Sequence, residues 1–65
     1  MRELDLLLEK FLATEFDSLG RAELGALELL LNEPDQDILA WLTASREPPR
    51  QLAGIVSHIR RSVNA

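Results

Sequence analysis

The sequence predicts an all-α fold, a small bundle of about four short helices, and three observations predict it. Apolar residues recur at three- and four-residue steps in four stretches. Turn-forming residues separate the stretches: a Gly after Asp-Ser-Leu, a Glu-Pro pair and a Pro-Pro pair. No strict apolar–polar alternation marks a strand, and no repeat or low-complexity run interrupts the chain. Sixty-five residues allow one domain, 1–65, with a small core.

The first helix is expected over about Arg2 to Glu15. Leu4, Leu7, Leu8, Phe11 and Leu12 share one stripe, and Arg2, Glu3, Glu9 and Lys10 fall away from it. Leu6 and Ala13, seven apart, lie roughly opposite the stripe among the charges. No capping residue precedes this helix, although Glu3 and Asp5 suit the positive end of its dipole. That start reads as the middle of a longer pattern. Phe16 to Gly20 break the period and read as a turn.

A second helix is expected from near Gly20 or Arg21 to Leu31, with Gly20 as an N-cap and Glu23 as the reaching acid of a partial capping box. It is apolar almost all round, which marks it as the central, most buried helix. Gly25 inside it suggests a close helix crossing, since glycine costs about 1 kcal/mol relative to alanine there. Glu33-Pro34 ends it, because the residue before proline is pushed out of helical geometry.

The third helix is expected over roughly Asp35 to Ala44, with Pro34 at its entry and Ile38, Trp41 and Leu42 facing the core. Arg46-Glu47-Pro48-Pro49 is a stiff connector. The last helix is expected over about Pro49 to Val63, with Leu52, Ile55, Val56, Ile59 and Val63 on one stripe and Arg60 and Arg61 at the negative dipole end.

Composition excludes several functions. With no cysteine there is no disulfide, thiolate nucleophile or Cys-type zinc site. The single histidine has no second ligand at helical spacing, so no metal is expected, and His58, off the stripe, reads as a solvent-facing residue. Asp35 and Asp37 lack the further oxygens and glycine of a calcium loop. No glycine-rich phosphate cradle and no nucleophile with a base is present, so the chain is not expected to be an enzyme or to hold a cofactor of its own. The apolar runs are far shorter than a membrane helix, and the acidic start is no secretory signal. A soluble, cytoplasmic protein is therefore expected.

The net charge is −4. Through Ser45 three bases meet ten acids; from Arg46 onward four bases meet Glu47 alone. Phosphate backbones repel such a front, so nucleic-acid binding is not expected, and Arg60-Arg61 read as dipole complements rather than a recognition helix.

Met1-Arg2-Glu3-Leu4-Asp5 resembles the second half of the Arg-Gly-x-x-Glu, Leu-Asp signature of the small bacterial FAD assembly factors of succinate dehydrogenase, the SdhE (YgfY) family, without its Arg-Gly. Glu15-Phe16-Asp17-Ser18-Leu19 at a turn, and Glu33-Pro34-Asp35 leading into Leu39-Ala40-Trp41-Leu42, extend the likeness over most of positions 1–42. The resemblance implies an N-terminally shortened bundle of that family. It also implies binding to the flavoprotein subunit of succinate dehydrogenase or fumarate reductase, and promotion of covalent FAD attachment to a histidine of that subunit. An antitoxin-like or other regulatory protein-binding module is the alternative.

By the resemblance Glu3 contacts the partner; without it, Glu3 is a first-turn acid that complements the dipole. Leu6 and Ala13 are either ordinary surface apolars or the centre of a contact patch. Arg2, Glu3, Leu6 and Lys10 are the candidate partner-binding residues, and Trp41 is assigned to the core. In the family a short upstream helix covers part of the bundle. Its absence is expected to leave apolar surface open beside Leu4, Leu8 or the last helix, to favour a homodimer through that face, and to weaken flavinylation.

Overall fold

A computed structural model describes residues 2–64, Asn64 by its backbone alone. Four α-helices follow one another with no strand among the described residues: α1 (Arg2–Glu15), α2 (Arg21–Leu31), α3 (Asp35–Leu42) and α4 (Arg50–Asn64), with a 3-10 turn (Phe16–Ser18) after α1. The all-α bundle read from the spacing is the fold observed.

Helix α1 buries Leu4 and Phe11, with Leu7, Leu8 and Leu12 partly covered beside them. The stripe therefore decides which face turns inward, as its spacing requires. At its end the Thr14 hydroxyl donates to the Lys10 carbonyl at 2.8 Å, and the Ser18 hydroxyl donates to that of Glu15 at 2.9 Å. Both bonds occupy carbonyls near the helix exit. Leu19 then runs extended and drops into the core.

Helix α2 starts at Gly20, whose N–H donates to the Glu23 carboxylate at 3.5 Å, so the reaching half of a capping box is present. The expectation that α2 is the central helix fails. Only Leu27 and Leu30 of this helix are buried, while Leu29 and Leu31 are about half exposed. Its leucines surround the helix axis rather than forming a stripe, and one helix cannot bury every side in so small a bundle.

The central position belongs to α4, which packs against α1, α2 and α3. Leu52, Ile55, Val56 and Ile59 are all buried, at most 3% exposed. A narrow, unbroken stripe of large side chains suits an element that touches every other one.

Gly25 does not mark a close crossing either: a Cβ built there meets nothing within 4 Å. Gly25→Ala is thus expected to stabilise the chain by up to about 1 kcal/mol, through helix propensity alone. Urea unfolding of the two proteins measures it, and a loss of stability would reveal an unseen contact at this position.

Helix α3 is entered through Pro34, whose carbonyl accepts from the N–H groups of Asp37 and Ile38 at 3.0 and 3.1 Å. It ends at Leu42, two residues before the expected Ala44. Ala44 adopts φ 64°, a left-handed conformation, and its N–H bonds the Trp41 carbonyl at 3.2 Å. This is the exit geometry for which glycine is the usual residue. Ser45 and Arg46 N–H groups both return to the Ala40 carbonyl, and Arg46 pairs with Asp37 across the turn. Trp41 is 5% exposed, within the core. No sealed side-chain donor or acceptor lacks a partner among the described residues, so its indole N–H is not stranded.

Leu4 is 2% exposed, so the surface expected to stand open beside it is closed. It is covered because α1 packs on both α3 and α4. The open part of that region is a hollow bounded by Leu7, Leu42, Arg60 and Val63.

Candidate functional site

The outward face of α1 carries all four residues assigned to partner binding. Arg2, Glu3, Leu6 and Lys10 are exposed, Leu6 by 58%, with Ala13 exposed farther along. Steps of three and four residues place Glu3, Leu6 and Lys10 side by side, with Arg2 one turn before Leu6. Met1, the first residue of the matched signature, lies outside the described residues. The side chains of Arg2, Glu3 and Lys10 make no hydrogen bond or ion pair among the described residues. The patch is thus an exposed leucine rimmed by three charges that the fold does not use. An apolar centre with a polar rim is the usual anatomy of a protein–protein contact.

Behind this face lies a junction that sequence reasoning missed. His58 was expected in solvent, yet its side chain is only 18% exposed and joins three helices. Its Nε2 donates to Glu15, the last residue of α1, at 2.9 Å, and its Nδ1 donates to Glu23, in the first turn of α2, at 2.6 Å. The ring meets that of Phe11 edge to face, with centroids 5.3 Å apart and planes at 85°. Two carboxylates on two ring nitrogens call for the doubly protonated imidazolium. Accordingly the His58 pKa is raised above its ordinary 6.5, by the bond to Glu15 first and that to Glu23 second. Glu23 is lowered below its ordinary 4.5, by His58 first and by the Gly20 N–H second. With both ring nitrogens engaged by carboxylates, the imidazole ties the ends of α1 and α2 to α4 as a clamp.

One sequence signal calls for a cation at this end of α1 without naming its source. Glu15 is an acid in the last turn of α1, where the dipole disfavours it and where no base lies within the turn. A cation from elsewhere in the chain relieves that mismatch, and His58 supplies it. By fixing the end of α1 to α2 and α4, the clamp also holds the outward face in place.

The clamp makes stability depend on pH. The raised His58 pKa contributes stability that is complete below pH 6.5 and is lost as pH rises through the folded value. The lowered Glu23 pKa contributes stability present above pH 4.5 and lost as pH falls through its folded value. Between those limits both contributions stand. The chain has no Tyr or Cys and only this His, so few other side chains titrate on the alkaline limb. Thermal unfolding is expected to fall from pH 6.5 toward pH 9, and to fall far less in His58→Gln. Equal slopes in both proteins would remove His58 from the clamp.

Among the described residues no group of His, Asp and Glu is arranged to hold a metal ion, and no helix is long and apolar enough to cross a membrane.

Comparison with known proteins identifies the family. The family model described as "Flavinator of succinate dehydrogenase" matches residues 1–63. A relative named FAD assembly factor SdhE, from Legionella pneumophila (strain Paris), is 48% identical over 60 residues, covering 92% of this chain and 76% of that protein. Two fungal relatives carry the name "Succinate dehydrogenase assembly factor 2, mitochondrial". That from Cryptococcus neoformans is 36% identical over 52 residues, covering 80% of this chain and 30% of that one. That from Schizosaccharomyces pombe is 41% identical over 49 residues, covering 75% and 35%. No solved structure matches the chain. A helical bundle with an unused charged face on its first helix, matched by this family over nearly its whole length, belongs to the SdhE family of succinate dehydrogenase flavinators and assembly factors.

Proposed function

We propose that this chain binds the flavoprotein subunit of succinate dehydrogenase, and that of fumarate reductase, through the outward face of α1, and so promotes covalent attachment of FAD to a histidine of the subunit. The observation that carries the reading is the patch itself: Leu6 exposed amid Arg2, Glu3 and Lys10, none of them engaged by the fold. The family description, which names succinate dehydrogenase as what is flavinated, supports that choice of client.

The chain works without forming the flavin bond itself. It binds better to the subunit conformation in which the subunit's own groups and FAD are aligned, and differential affinity of that kind shifts the population toward it. FAD is the client's cofactor, and the absence of cysteine together with the bacterial relative supports a cytoplasmic setting. A second copy of the chain docks on the hollow beside Leu7 and Val63 when no client is present; sedimentation at rising concentration tests that pairing.

Glu3→Ala is expected to weaken client binding by about tenfold, the size of one well-placed charge contact. Its stability should stay within about 0.5 kcal/mol of the parent, because the side chain is exposed and unpaired. Calorimetric titration against the purified subunit, beside denaturant unfolding, checks both. Undiminished affinity would move the contact elsewhere; a loss of several kcal/mol in stability would make Glu3 structural.

A further inference from the structure

On the flank of the proposed face, α1 and α4 enclose a hollow bordered by Lys10, Thr14, Glu15, His58, Arg61 and Ser62. Three of these six are basic in a chain whose net charge is −4. The hydroxyls of Thr14 and Ser62 lie 3.4 Å apart across it, and His58 bonds Glu15 at its floor. Those two ties join α1 to α4, so the helix positions that bear Lys10 and Arg61 are held side by side before any ligand arrives.

The charges do not balance. His58 is engaged by two carboxylates, Glu15 and Glu23, and leaves that cluster one charge negative. Lys10 and Arg61 add two positive charges, and neither side chain makes an ion pair among the described residues. Arg61 also acts on Glu23 at longer range, one of the influences lowering its pKa. The group as a whole carries one surplus positive charge, which a monoanion neutralises. A phosphate dianion would overshoot that single surplus charge, and either anion is shielded from Glu15 only by the His58 bond that Glu15 already makes. Lys10 belongs to the outward face of α1 as well, so whatever docks on that face passes over the hollow.

We propose that the hollow between Lys10 and Arg61 receives a carboxylate side chain of the flavoprotein subunit; this rests on the partner-binding reading above and adds to it a specific contact on α4. Arg61, in the last helix, thereby joins the interface. Only the fork of its guanidinium holds both carboxylate oxygens at once.

Binding of purified flavoprotein subunit to the intact chain and to three variants tests the contact. Arg61→Ala is expected to lower affinity about tenfold and Arg61→Glu by more, because the reversed charge repels the incoming carboxylate. Arg61→Lys should recover only part of the affinity, because an ammonium keeps the charge but not the two-pronged contact. The unfolding temperatures of Arg61→Ala and Arg61→Lys should stay close to the parent, since Arg61 is exposed, whereas Arg61→Glu sets an acid at the negative end of α4 and should unfold somewhat lower. Raising salt should narrow the gap between parent and Arg61→Ala, as for any exposed charge contact. If the parent binds and Arg61→Ala and Arg61→Glu bind as tightly, the hollow is not part of the interface and the proposal is overturned while the partner reading stands. If the parent does not bind, the partner reading itself is lost. Competition by inorganic phosphate beyond that of chloride at equal ionic strength would overturn the carboxylate assignment in favour of a phosphate ligand.

Discussion

Replacing Trp41 with alanine is expected to leave the chain largely unfolded. Its indole is 5% exposed and shares the core with Ile38, Leu42 and the stripe of α4. Truncating a buried tryptophan to alanine costs about 3–5 kcal/mol, through lost burial and the cavity left behind. A 65-residue chain has little more stability than that to lose. Loss of the helical circular-dichroism signal at room temperature is the expected readout. A well-folded Trp41→Ala that fails only in partner binding would shift Trp41 from core to interface.

Phe11→Ala is expected to be nearly as damaging, while Leu6→Ala, five residues earlier on the same helix, should be almost silent. Phe11 is 0% exposed and Leu6 58%. The first substitution removes about 3–5 kcal/mol of packing and also the edge-to-face contact with His58. The second changes stability by no more than about 0.5 kcal/mol. Urea unfolding of the pair measures which face of α1 turns inward. Similar losses in both variants would contradict the orientation of the helix, and with it the assignment of its outer face to a partner.

How far the sequence reveals the fold differs from helix to helix. Helices α1 and α4 are legible to within a residue, because each carries one uninterrupted apolar stripe bounded by charge or proline. Helix α2 misleads because composition and periodicity disagree there. Its five leucines and two alanines suggest burial, but their angular spread leaves Leu24, Leu29 and Leu31 in solvent. The end of α3 is hidden for a different reason: the left-handed exit falls on Ala44, and alanine gives no warning of a positive φ.

The candidate site divides in the same way. The exposure of Arg2, Glu3, Leu6 and Lys10 follows from helical spacing within a single element, so it was open to sequence reasoning. The His58 clamp was not, because it joins residues 35 and 43 positions apart. Only tertiary packing brings Glu15 and Glu23 to one ring. Arg61 is subject to the same limit. In the sequence it is a base in the last turn of a helix; in the fold it stands across a hollow from Lys10.

Covalent flavin is the quantity that tests the central claim most directly. The purified flavoprotein subunit, lacking flavin, is incubated with FAD in the presence and absence of this chain, and in-gel fluorescence after denaturation reports flavin bonded to the subunit. The account predicts faster and more complete labelling with the chain present, slowed in Glu3→Ala at concentrations below saturation. Labelling that proceeds equally with and without the chain, on a subunit that is folded and accepts FAD, would contradict it.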